Sequence, residues 1–236
     1  MARCVVITGA AGGVGRATAL HLDDAGWRCA LVGRTRSTLE AVGGMLRQPH
    51  AVIVADLSVP GGAAAAAAAA REFCGGRVDG LINAAGAAPR ARIDATDEAS
   101  AREAFETNSL APALLVAGLC AARGRVVNAS SMAAIDPFPG FLAYGASKAA
   151  LESLTRSINV EGAAAGVVAH TLRLGAVETP MLRGLFSEAD LPKADAADPA
   201  DVAREIAAIL AGGRDGEDVV TLDAAPRDGR TFAAEL

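Results

Sequence analysis

The chain has 236 residues, 52% of them hydrophobic and 21% charged, with a formal net charge of -5. That length fits one α/β domain or two small ones, and it buries enough surface to fold without a disulfide or metal staple. Mild acidity argues against a nucleic-acid partner, which would want a basic face. No apolar run reaches the ~18 residues of a membrane span, since the longest, from Leu110 to Ala122, is interrupted by Pro112 and Gly118. Met1-Ala2-Arg3 leads straight into an apolar segment, so no secretory leader is expected. The four cysteines, Cys4, Cys29, Cys74 and Cys120, form no CxxC pair and have no His nearby. They are expected to be buried free thiols of a reducing cytoplasm, with no metal site.

In chain order, Arg3 to Thr8 reads as a buried parallel strand that ends in glycines. Gly13 to Ala25 reads as a helix stopped by Gly26, followed by a strand at Cys29–Val32, a helix at Thr38–Arg47 and a strand at Ala51–Ala55. The eight alanines from Ala63 to Ala70 fall where the next crossover helix is due, and alanine is the best helix former. A strand at Asp79–Asn83, a long helix from Glu98 to Ala122, a strand at Arg125–Ala129 and a helix from Tyr144 to Ala163 follow. Val167–Leu174 is the sixth strand, Ala200–Leu210 a helix and Asp218–Leu222 the last strand. Strict alternation predicts a three-layer α/β fold: one doubly wound parallel sheet of about seven strands with right-handed crossovers.

The composition singles out certain residues. There are 20 Arg against 2 Lys, only 4 Asn and a single Tyr. In a chain that has drifted so far toward Arg and Ala, a surviving rare residue is a candidate for chemistry that is hard to replace.

At the first strand–helix turn stands Thr8-Gly9-Ala-Ala-Gly12-Gly13-Val14-Gly15. Glycines there let the backbone approach a diphosphate, and the following helix N-terminus offers free N–H groups and a positive dipole end. The spacing Thr-Gly-x3-Gly-x-Gly resembles the cofactor motif of the classical short-chain dehydrogenases/reductases, a likeness that covers about residues 3–182. It implies a single NAD(P)-binding Rossmann domain over residues 1–236, with a short substrate flap at about 176–198.

The resemblance implies further cofactor contacts. Family members that use NAD carry an acidic residue at the end of the second strand, where a carboxylate binds the ribose hydroxyls and repels a 2′-phosphate. Here Gly33 holds that place and Arg34 follows, with Arg36 nearby. A guanidinium grips phosphate, so NADP(H) is favoured over NAD(H). The residue before Gly13 is Gly12, where many NADP-using members have a base. Asp56-Leu57 matches the adenine-contacting pair. Asn83-Ala84-Ala-Gly86 matches an Asn-Asn-Ala-Gly motif with Ala84 in the second position.

Tyr144 and Lys148 stand at i and i+4, on one face of a helix. A phenol titrates near ~10, and bringing its anion to neutrality requires about 3 units, or ~4 kcal/mol. A cation ~4 Å away at an effective dielectric near 20 supplies about that much. Tyr144 is the sole tyrosine and Lys148 one of two lysines. By resemblance, Ser131, at the end of the fifth strand, orients the substrate oxygen. Ser130 is its neighbour on the other face. Asn108 corresponds to the residue that steadies the central helix and anchors a proton-relay water, completing a catalytic set of Asn108, Ser131, Tyr144 and Lys148.

After the sixth strand the family pattern Pro-Gly-x-x-x-Thr becomes Leu174-Gly175-Ala-Val-Glu-Thr179. Val177 and Thr179 would meet the nicotinamide carboxamide. Phe138, Phe141, Met181 and Phe186 suggest an apolar pocket for a small-molecule carbonyl or alcohol substrate. The family's C-terminal strand and Asp-Gly-Gly become Thr221-Leu-Asp-Ala-Ala-Pro226, which puts the usual homotetramer in question beside a homodimer through the long helices. The activity expected is NAD(P)(H)-dependent hydride transfer at a carbonyl or secondary alcohol. The alternative is a non-catalytic dinucleotide-binding or scaffold protein on the same fold. An epimerase or dehydratase of the extended branch is disfavoured, because the chain lacks room for a substrate domain.

Overall fold

A computed structural model describes residues 2–119 and 124–222. Seven strands form one parallel sheet: β1 (Cys4–Thr8), β2 (Arg28–Gly33), β3 (His50–Val54), β4 (Gly80–Asn83), β5 (Gly124–Ser131), β6 (Val167–Leu174) and β7 (Val219–Leu222). Their order is β3-β2-β1-β4-β5-β6-β7, so the direction of winding reverses between β1 and β4. Ligands bind at such a switch point, beyond the carboxyl ends of the strands.

The helices fall into two layers because successive strand residues point to opposite faces. Val5 and Ile7 pack with one layer, α1 (Gly13–Asp24), α2 (Arg36–Gly43) and α8 (Pro199–Leu210), through Leu22, Leu39 and Ile206. Cys4 and Val6 pack with the other. It contains the polyalanine helix α3 (Gly62–Phe73), α5 (Ala111–Leu119) and α6 (Leu142–Gly162), joined through Ala66, Leu115 and Ile158. Alanine side chains let α3 lie close to the sheet. Helices α4 (Glu98–Phe105) and α7 (Pro180–Leu185) complete the set described here.

The alternation expected from the sequence is observed, with ends shifted by a few residues. Two expectations need correction. The helix from Glu98 onward is not uniform: Glu106–Leu110 forms a π turn between α4 and α5. Pro112 is the physical reason. It has no N–H, so the carbonyl of Asn108 four residues earlier has no α-helical donor, and widening the turn relieves the clash with the ring.

The cysteines are the second. Cys4 and Cys74 are joined in a disulfide, their Cα atoms 5.7 Å apart. Cys4 points to the face covered by α3, and Cys74 is the residue that ends α3. The crossover therefore brings together two thiols that are 70 positions apart in sequence. Cys29 is a buried free thiol, pushed up to about 12 by burial and by the Asp23 carboxylate. Cys120 and the atypical stretch after Leu222 lie outside the described residues.

Candidate active site

A cavity of about 790 Å3 opens at the carboxyl ends of β1, β4, β5 and β6. Gly12, Gly13, Val14 and Gly15 form one wall, and Ala84 and Gly86 a second. Ser131, Tyr144 and Lys148 also line it, as do Val177 and Thr179.

The glycine turn is tightly built. Gly9 has φ +63, and a Cβ on it would sit 2.8 Å from the Ala84 carbonyl oxygen. A Cβ on Gly15 would overlap the Gly9 carbonyl oxygen, and one on Gly13 would lie 2.8 Å from Thr179 Cβ. Thr8 clamps the turn: its hydroxyl accepts from the amides of Ala84 and Ala85, each at 3.1 Å, and donates to the Ile82 carbonyl. Helix α1 has Gly12 at its N-cap, with no side-chain cap and no acidic residue in its first turn. An uncapped helix N-terminus facing a glycine-walled cavity fits the diphosphate of a dinucleotide.

The adenosine end is more open. Asp56 is exposed, and its Oδ1 accepts from the amide and hydroxyl of Ser58 at 2.9 Å and 2.6 Å. Those bonds, and the charge of Arg34, hold its carboxyl below the usual range. Leu57 is buried beside it. Arg34 is 68% exposed and 3.6 Å from Glu103, a pair too exposed to hold it firmly.

The catalytic candidates converge from three elements. Tyr144 and Lys148 project from the first turns of α6, and Ser131 ends β5. Burial pushes the Tyr144 phenol above its ordinary range, and the neighbouring Ser131 hydroxyl, which lowers it, offsets only part of that rise. Burial brings the Lys148 ammonium down to about 8. It donates to the Ala129 carbonyl at 2.7 Å, and lies 5.8 Å from the Tyr144 ring centroid. The lowering of the phenol expected from sequence is therefore not produced by these groups on their own. Lys148 is turned partly toward the backbone, and desolvation works against the phenolate.

Two sequence-predicted residues occupy supporting places. Asn108, fully buried in the π turn, accepts from the Ala87 amide at 2.9 Å and donates to the Ala87 carbonyl at 2.8 Å and to Ser147 Oγ at 2.9 Å. It pins the chain after Gly86 to α6. Asn83 points into the sheet layer and donates to Asn128 Oδ1 at 2.8 Å. Asn128 donates to Thr155 at 3.0 Å, and Thr171 to Thr155 at 2.8 Å. Sequence reasoning passed over Thr155, Thr171 and Ser147. Hydroxyl residues in apolar stretches were their only signal.

The segment 176–198 is tied at its base by bonds of Ala197 to Ala176 and Glu178, each 2.9 Å. Within the cavity, Phe141 meets Tyr144 edge-on at 5.9 Å and stacks on Phe186 at 6.1 Å. Phe138 and Met181 also line the cavity.

Residues 3–190 match the family model described as short chain dehydrogenase. The carbonyl reductase family member 4 of Danio rerio is 28% identical, over 89% of this chain and 92% of that protein. The sulfoacetaldehyde reductase of Chromohalobacter salexigens is 35% identical, over 76% of this chain and 74% of that protein. Among solved structures, levodione reductase superposes with a TM-score of 0.85 at 25% identity, over 94% of this chain and 96% of that one. A short chain dehydrogenase/reductase family protein gives 0.85 at 29% identity, with the same coverage.

Proposed function

The chain belongs to the short-chain dehydrogenase family, whose members are NAD(P)-binding oxidoreductases, and from that premise we propose that it interconverts a small carbonyl compound and its secondary alcohol. The observation that carries this reading is the convergence of Ser131, Tyr144 and Lys148 on one cavity, with Lys148 one helical turn beyond Tyr144 on α6. A bound reduced nicotinamide would supply the hydride. Tyr144 would give its proton to the developing alkoxide, and Ser131 would orient that oxygen by hydrogen bonding. Lys148 would meet the cofactor ribose and restore favourable charge beside the phenol. In oxidation the phenolate takes the alcohol proton instead. Asn108 would fix the distance between the Gly86 wall and α6.

Gly9, Gly13, Val14 and Gly15 would hold the diphosphate, Asp56 and Leu57 the adenine, and Ala84 and Gly86 the ribose side. Val177 and Thr179 would receive the carboxamide. Asn83 would act from behind this wall through Asn128. The absence of a carboxylate at Gly33, together with Arg34, supports NADP(H). The sulfoacetaldehyde reductase and carbonyl reductase named among the relatives are in keeping with a reductase acting on carbonyls. The segment 176–198 would serve as flap on a single domain, and exposed Leu110, Leu114 and Leu142 would form a homodimer face. Among the described residues no helix is long and apolar enough to cross a membrane.

The test is Tyr144→Phe. It is expected to abolish NADPH oxidation across a panel of ketones and aldehydes while fluorescence titration still shows cofactor binding. Wild-type protein that binds NADPH and turns over nothing would favour the scaffold alternative, and tighter binding of NADH would overturn the cofactor preference.

A further inference from the structure

We propose that Arg90 is a carboxylate-recognising residue at the far end of the substrate cavity, so that the compound reduced carries a carboxylate separated from its carbonyl by an apolar stretch. This rests on the oxidoreductase reading above and names its substrate class.

Arg90 is held in place by its neighbours. The next residue, Ala91, donates to the Gly140 carbonyl at 2.9 Å and bridges to Phe141, so the segment after β4 is fixed against the aromatic wall. The guanidinium lies 5.5 Å from the Phe186 ring centroid. From there the rings of Phe186 and Phe141 lead to Tyr144. The cavity is thus polar at its two ends and apolar between them.

The donors of Arg90 are poorly used. Nε is buried with no hydrogen-bond partner, and Nη1 reaches the Leu185 carbonyl only at 3.4 Å. Among the described residues Arg90 forms no ion pair. Asp190 shares the cavity wall and feels the charge of Arg90, but its Oδ2 is already held by the Ser187 amide at 3.0 Å and hydroxyl at 2.7 Å. Asp195 lies on the same wall, at the exit of the flap. A guanidinium keeps its charge at every accessible pH, and a buried unmet donor is costly. A planar carboxylate would satisfy Nε and a terminal nitrogen together. The other cationic side chain of the cavity, Lys148, sits at the Tyr144 end and donates to Ala129. This polarity places the reacting carbonyl at Ser131 and Tyr144 and the anion at Arg90.

The experiment compares levulinate and its longer-chain keto-acid homologues with their methyl esters, with NADPH, in wild type and R90M. Wild type is expected to favour acids over esters in kcat/KM by about thirtyfold or more, the scale for a desolvated charge pair. In R90M that preference collapses toward unity, through KM of the acids, and R90K restores part of it. Equal use of acids and esters by wild type, or an equal fall for both in R90M, overturns the proposal and leaves Arg90 as a latch on α7. Should R90M not fold, Arg90→Gln takes its place. If wild type reduces no member of the series, saturation-transfer NMR on the same acids decides separately. Binding that is lost in R90M upholds the anion site while the carbonyl reading fails; no binding overturns the site.

Discussion

Glu152 and Arg173 meet in two parallel contacts behind the catalytic candidates, Nε on Oε1 at 3.0 Å and Nη2 on Oε2 at 2.7 Å. Their side chains are only 6% and 16% exposed. Ser130 joins them, donating to Glu152 Oε1 at 2.9 Å. Ser130 and Ser131 are neighbours at the end of β5, so the pleat directs one hydroxyl to this pair and the other to the phenol. Glu152 lies one helical turn beyond Lys148 on α6. The ion pair thereby locks α6 to β5 and β6, and with them Tyr144 to Ser131.

Glu152→Leu should cost about 3–5 kcal/mol in urea denaturation, because it leaves the Arg173 charge enclosed without its partner. The double variant Glu152→Leu/Arg173→Met should recover most of that loss. If the single and double variants are equally unstable, the pair is not what joins these elements.

Gly15→Ala tests the closeness of the glycine turn. The new Cβ would overlap the backbone oxygen of Gly9, which no rotamer change can relieve. Loss of about 1–3 kcal/mol in stability is expected, together with at least about tenfold weaker NADPH binding, each 1.4 kcal/mol being a factor of ten. Gly184→Ala is the control, since a Cβ there meets nothing within 4 Å. It should stay within about 0.5 kcal/mol of wild type.

The sheet and its helices could be read from alternation because the inner strands are buried on both faces and each crossover is long enough to carry its own pattern. Tyr144 and Lys148 were legible through rarity and spacing, Ser131 through the family resemblance, and the cavity unites them. The π turn was not read, although Pro112 was in view, because its consequence falls on the carbonyl of Asn108. The Cys4–Cys74 contact depends on which face of β1 the polyalanine helix covers, which spacing does not encode. Arg90 was one of 20 arginines. What sets it apart is the unmet Nε, a property of packing alone.

Lys148 predicts a pH signature. Its folded value of about 8 lies below the ordinary 10.5. Between those values the unfolded chain holds more protons than the folded one, so stability should rise with pH across that window, by about 3 kcal/mol in all. Below the lower value both states are protonated and the full penalty of enclosing the ammonium remains. Lys148→Met removes that penalty along with one hydrogen bond to Ala129. It should therefore be about 2 kcal/mol more stable than wild type at neutral pH, with the difference shrinking above the window and turnover lost. Urea denaturation of both proteins through the alkaline range checks this. A variant less stable than wild type at neutral pH would mean that the ammonium is well solvated where it sits.

The Cys4–Cys74 bond closes a loop that runs from β1 through α1, β2, α2 and β3 to the end of α3, with a sequence separation of 70. Cross-linking so long a loop removes chain entropy from the unfolded state, worth about 4 kcal/mol at most in the entropic account. Reduction or Cys4→Ser should lower the Tm, while cofactor binding persists, because the bond lies at the amino end of β1 and the glycine turn at its carboxyl end. Thiol titration supplies the independent check: protein unfolded without reductant should show two fewer reactive thiols than protein unfolded with it. Equal counts would mean that the two sulfurs lie side by side unbonded. The stability assigned to the cross-link would then have to come from the packing of α3 against the sheet.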